Sequence, residues 1–214
     1  MDSGPMWGFY RISVWIMNFV YLNLLWIFFT LVGLIVFGFS PATISVFSIV
    51  RKWIQGYTDI PIFKTFWKNY RKEFLKSNAL GLFLTVIGYV LYLDFQLVLR
   101  TSNTMLQYTF LPLILVILVY LLTLLYVFPI YVQYNLKMIY VLKNALVIMI
   151  FRPFTTLTMV ASTVIVFALL RYVPELIPFV SVSLWAYVLM WCSNLVFKKI
   201  ELQQQQQDTK TTSI

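Results

Sequence analysis

Histidine is absent from this 214-residue chain, and cysteine occurs once, as Cys192. Without histidine there can be no Ser–His or Cys–His couple and no imidazole metal ligand. A single thiol cannot close a disulfide within the chain, and in an apolar helix it reads as inert packing. Charge is also scarce: Asp, Glu, Lys and Arg make up 11% of the residues, where a soluble domain carries about 25%. So few charges cannot cover a water-facing surface, which excludes a soluble globular protein. No pair of carboxylates is placed for acid–base work, and no GxxxxGK[ST] loop is present to cradle phosphate. The chain is therefore not expected to be an enzyme or to carry a cofactor.

What is abundant points one way. Hydrophobic residues reach 61% and aromatics 19%, with a mean hydropathy of +0.85. Disorder, which needs low hydrophobicity, is excluded. The apolar runs are long and continuous rather than alternating, so a transmembrane barrel does not fit. An all-α, polytopic membrane protein remains, and its formal charge of +9 is read as topology information.

The charge-free runs set the spans, since about 20 apolar residues cross a bilayer as a helix. They predict a single membrane domain, 1–202, with five spans near 12–38, 79–99, 112–135, 153–171 and 176–197. The first run breaks at Gly38-Phe39-Ser40-Pro41, where Ser40 can cap a new helix and Pro41 suits its first position. A short helix near 41–55 follows, interfacial or re-entrant, with Ala42, Ser45 and Ser48 at close-packing spacing. The third run is expected to bend at Pro129. Residues 203–214, opened by a five-Gln run, read as a disordered polar tail.

The basic residues fix an orientation for this five-span count. Arg51, Lys52, Lys64, Lys68, Arg71, Lys72, Lys76, Lys137, Lys143, Arg152, Lys198, Lys199 and Lys210 fall on one side, against Arg11, Arg100 and Arg171 on the other. The positive-inside rule then places the C-terminus in the cytoplasm and the N-terminus outside a bacterial plasma membrane.

The segment 62–76 has two faces. Phe63, Phe66, Trp67, Tyr70 and Phe74 recur at helical spacing on one, and Lys64, Lys68, Lys72 and Lys76, joined by Arg71, step along the other. Such a helix belongs at the cytoplasmic membrane surface, as a lipid-facing topology device that continues into the second span or as a docking face for a partner. Nucleic acid is not an expected partner, because lipid or the bundle uses the aromatic face. Ser77, Gly81 and Thr85 form a small-xxx-small stripe for helix packing. Asp94, Asn135 and Asn194 are the polar candidates at membrane depth, read as an outer-interface carboxylate and interhelical hydrogen bonds, or as parts of a ligand site.

Several blocks resemble the YesL-like family of small bacterial membrane proteins. They are Leu22-Asn23-Leu24-Leu25-Trp26, the Gly38-Phe39-Ser40-Pro41-Ala42-Thr43 break, Arg51-Lys52-Trp53 with Gly56, and the pairs Phe66-Trp67 and Glu73-Phe74. Phe128-Pro129, Leu142-Lys143-Asn144-Ala145 and Arg152-Pro153 continue the match. The resemblance implies gene neighbours that encode carbohydrate ABC importers and glycan-degrading enzymes, and it carries over no functional residues. The loop by which importer permeases engage their ATPase is missing. The expected role is thus a non-catalytic accessory subunit or regulator of a carbohydrate (oligosaccharide) importer, with its permease subunits as partners. An independent small-solute transporter or channel, or a membrane scaffold or assembly factor, stands as the alternative.

Overall fold

The computed structural model describes residues 5–100, 108–134 and 136–212. Over these residues the chain forms seven α-helices and one 3₁₀ turn, with no strand. They are α1 (Pro5–Val32), α2 (Val36–Ile54), α3 (Ile62–Arg100), α4 (Phe110–Gln133), α5 (Met138–Phe151), α6 (Pro153–Tyr172) and α7 (Ile177–Thr212), with the 3₁₀ turn at Pro174–Leu176. Five stretches are long and apolar enough to cross a membrane: Tyr10–Val32, Ile62–Arg100, Phe110–Gln133, Pro153–Tyr172 and Pro174–Phe197. The polytopic helical architecture is as the composition implied.

The first break lies earlier than expected, at Gly33-Leu34-Ile35 rather than at 38–41. Gly33 N–H bonds to the Phe29 carbonyl at 3.1 Å and Ile35 N–H to the Thr30 carbonyl at 2.8 Å, which closes the end of α1. Leu34 and Ile35 take φ of 58° and 63°, a left-handed conformation that strains a residue bearing a Cβ. The chain holds this turn because the backbone at Gly38 comes directly against Phe29 and Thr30, with no room for a side chain at Gly38. Ser40 is therefore not a cap, and Pro41 sits inside α2. Pro41 removes one ladder hydrogen bond near the helix start. Thr43 Oγ1 and Ser45 Oγ bond back to the carbonyls of Phe39 (2.7 Å) and Pro41 (2.8 Å).

α2 is the buried centre of the bundle. Ser40 through Phe47, Ile49, Val50 and Trp53 are buried, and α2 packs against α1, α3, α4 and α7. It runs antiparallel to α1: Trp26 Nε1 donates to Thr43 Oγ1 at 3.0 Å, and further along Trp15 lies edge-on to Trp53 at 5.7 Å. The last helix is antiparallel to α1 as well, with Asn23 against Pro178 and Trp15 against Tyr187. Residues near Trp15 therefore share one end of the bundle with the C-terminal end of α2 and the later part of α7. α2 begins at Val36 and runs back along most of α1.

The basic amphipathic segment continues into the second span as one uninterrupted helix, α3. Two further boundaries differ from the sequence reading. Between α4 and α6 lies an extra helix, α5, ended where Arg152 precedes Pro153 and leaves the helical region at ψ 61°, as a residue before proline tends to do. Finally, α7 continues through Gln203–Thr212, where a disordered tail was expected. Glutamine is a good helix former, so its polarity alone does not stop a helix already under way.

Candidate functional site

The two faces of residues 62–76 have different fates. Phe66 and Tyr70 are buried, and Phe74 is partly so, while Phe63 and Trp67 stay about half exposed. The organising side chain is Phe29 at the end of α1. Phe66, Trp67 and Tyr70 pack their rings around it, with centroids at 5.1, 5.4 and 5.0 Å. Tyr70 also donates to the Phe29 carbonyl at 3.1 Å, and Phe74 follows Tyr70 at 5.6 Å. Much of the aromatic face is therefore committed to the chain's own core. Lys64, Lys68, Arg71, Lys72 and Lys76 are all exposed.

Beside this helix, the ends of α2 and α4 enclose a cavity of about 340 Å³. Arg51 and Lys52 enter from α2, Lys72, Glu73 and Lys76 from α3, and Tyr131 from α4. Two contacts hold its wall. Arg51 Nη1 donates to the Val132 carbonyl at 2.8 Å, and Tyr131 donates to Glu73 Oε2 at 2.8 Å. Lys72 Nζ lies 3.6 Å from the other Glu73 oxygen. Cations separated by some twenty residues of sequence thus line one polar space, a convergence that the sequence reading missed. The five basic residues of 62–76 had been considered alone, and only the antiparallel return of α2 brings Arg51 and Lys52 to them.

The remaining candidates do not gather with this cavity. Ser77 is buried and bonds back to the Phe74 carbonyl at 3.3 Å. Gly81 is in direct contact with Ser40 of α2, so this part of the stripe serves packing within the chain. Thr85 is exposed and bonds to the Gly81 carbonyl at 2.8 Å. Gly81 and Thr85 also line an apolar groove of about 600 Å³ with Tyr120, Leu121 and Trp185. Asp94 is exposed on α3, six positions before Arg100, and Asn194 is half-buried on α7. Asn135 lies outside the described residues. Among the described residues no group of three or more Cys, Asp or Glu side chains could hold a metal ion.

One buried polar group escaped the sequence reading even though it stood in the first span. Asn23 is fully buried. Its Nδ2 donates to the Pro178 carbonyl at 2.8 Å, and its Oδ1 accepts from the N–H groups of Val182 (3.0 Å) and Ser183 (3.2 Å). The amide thus bridges the Pro178 carbonyl and the Val182 N–H, two groups that an α-helix pairs with each other. The available signal was an uncompensated amide within an otherwise apolar span, which must find a partner there.

A family model described as "Protein of unknown function, DUF624" matches residues 19–95. That region holds most of α1, all of α2 and most of α3, and so includes the Phe29 ring cluster and two walls of the cavity. Similar proteins occur in Bacillus subtilis (strain 168). "Uncharacterized protein YteU" is 41% identical over 199 residues, covering 93% of this chain and 89% of its own length. "Uncharacterized protein YesV" is 36% identical over 191 residues, covering 89% and 92%. "Uncharacterized protein YesL" is 32% identical over 200 residues, covering 94% of each. No solved structure matches.

Proposed function

This chain belongs to the YesL-like DUF624 family, and from that premise we propose that it is a non-catalytic accessory subunit or regulator of a bacterial carbohydrate importer of the ABC type. The observation that carries a docking role is the division of labour on α3. Its aromatic face is largely taken up inside the bundle, while Lys64, Lys68 and Arg71 stand exposed. An exposed row of one charge, supported by a rigid helix, suits an acidic partner surface. The importer as partner, and carbohydrate as its cargo, rest on the gene context that the family resemblance implies.

The orientation belongs to the same proposal. Five described stretches are long and apolar enough to cross a membrane, and the basic residues that connect and follow them on one side outnumber Arg11, Arg100 and Arg171 by thirteen to three. That asymmetry favours an N-terminus outside and a C-terminus in the cytoplasm of a plasma membrane. The exposed cations of α3 lie on the cytoplasmic side, where an importer's ATPase and the cytoplasmic loops of its permease are found.

The test is affinity purification of the tagged full chain from native membranes in mild detergent. Importer subunits should come down with the wild type and be lost from a Lys64→Glu/Lys68→Glu/Arg71→Glu variant that is still inserted. Deletion of the gene should slow oligosaccharide uptake. The reading fails if no importer subunit is recovered and uptake is unchanged, or if the reconstituted chain alone moves a sugar.

A further inference from the structure

The cavity between α2, α3 and α4 is lined by four cationic side chains, Arg51, Lys52, Lys72 and Lys76, and one carboxylate, Glu73. That carboxylate is already engaged. It accepts from Tyr131 at 2.8 Å and stands 3.6 Å from Lys72. Arg51 is held at the wall by its bond to the Val132 carbonyl. The excess positive charge is thus gathered in one partly enclosed space, in a chain with only 16 basic residues in all. Like charges so placed repel one another unless an anion enters.

We propose that this cavity binds the phosphate of an anionic phospholipid headgroup. The donors approach from different helices, which suits a phosphate with several acceptor oxygens better than a flat carboxylate. A volume of about 340 Å³ is at the small end of small-molecule sites, and leaves room for one headgroup. Lipid is favoured over a soluble phosphate by the flank of the site. Leu75, between Lys72 and Lys76 in sequence with Glu73, is 82% exposed, and Leu136 on the wall is 37% exposed. Apolar groups next to a cationic pocket at the end of a helical bundle match a molecule whose phosphate is followed by acyl chains. The assignment does not rest on the importer reading, because Lys64, Lys68 and Arg71 do not line the cavity.

Native mass spectrometry of the purified full chain tests it. The protein is incubated with phosphatidylglycerol and phosphatidylcholine of the same acyl chains, then activated until weakly held lipid leaves. Phosphatidylglycerol should be retained about tenfold over phosphatidylcholine, and each of Lys52→Gln and Lys76→Gln should lower that ratio about fivefold. These two lysines are exposed and make no contact that holds the wall, so each single variant is read at wild-type thermal stability. Lys64→Gln, outside the cavity, should leave the ratio as it was. Equal retention of the two lipids overturns the proposal, as does a ratio unchanged in both single variants. Inorganic phosphate that displaces phosphatidylglycerol at equal concentration overturns the lipid assignment in favour of a soluble anion.

Discussion

Tyr70 donates its phenol to the main-chain carbonyl of Phe29, 41 positions away in sequence, while its ring packs against the Phe29 ring. The same carbonyl accepts the N–H of Gly33, so one oxygen ties α3 to the closing turn of α1. The bond lies among buried groups, where an unpaired partner is costly. Tyr70→Phe keeps the ring and removes the donor, and should cost about 1 kcal/mol. For a chain of this length that is a fall of about 2–4 °C in the melting midpoint, measured by thermal unfolding in detergent. An unchanged midpoint would show that the hydrogen bond adds nothing beyond ring packing.

Gly38 makes a sharper case. A Cβ there would meet backbone, the carbonyls of Thr30 and Phe29, and neither can rotate out of the way. Gly38→Ala should therefore force α1 and α2 apart and cost about 2 kcal/mol or more. Gly56, with φ 97° and open space around its Cβ position, provides the control. Gly56→Ala carries only the conformational penalty of about 1 kcal/mol. Melting midpoints of the two variants in the same detergent should differ in that order, and a reversed order would refute the close-contact account.

Asn23→Leu keeps the branched shape of the side chain but takes away its hydrogen bonds to the start of α7. The Val182 and Pro178 groups can then pair along the helix, which limits the loss to about 1–2 kcal/mol. The stronger signature is local. Amide exchange at Val182 and Ser183 should rise in the variant while the core of α2 stays protected.

The proposed orientation makes a qualitative prediction as well. A fluorescent reporter that matures only in the cytoplasm should light up at the C-terminus and stay dark at the N-terminus. Two bright fusions would overturn that orientation and require an even number of crossings.

Much of this architecture was legible in the chain, and the exceptions have physical causes. Long apolar runs announced their helices because a bilayer-spanning segment has to be continuous, and α4 and α6 fall within a few residues of expectation. The start of α2 was misplaced because Gly38 and Pro41 read locally as a break. Its Ala42, Ser45 and Ser48 were legible as close-packing groups, and the helix is surrounded by four others. The continuation of 62–76 into the second span was legible, because hydrogen bonding along a helix does not register the change in composition there. For the site, the alternation of aromatic and basic groups on 62–76 was visible, but its partner was not. Nothing local marks Phe29 as the ring that those aromatics enclose, or pairs Arg51 with Val132, because both depend on how α2 folds back.

The burial of α2 has a bearing on how the protein is made. Its mean hydropathy does not qualify it as a span by itself, so it is poorly suited to remain in lipid alone. As nascent chain it has α1 to pair with at once, through Trp26 and Thr43. The flank that α7 covers waits until the last helix has left the ribosome. A truncated or stalled product would therefore expose hydroxyl-rich helix surface to lipid, a feature by which membrane quality control can tell an unfinished copy from a complete one.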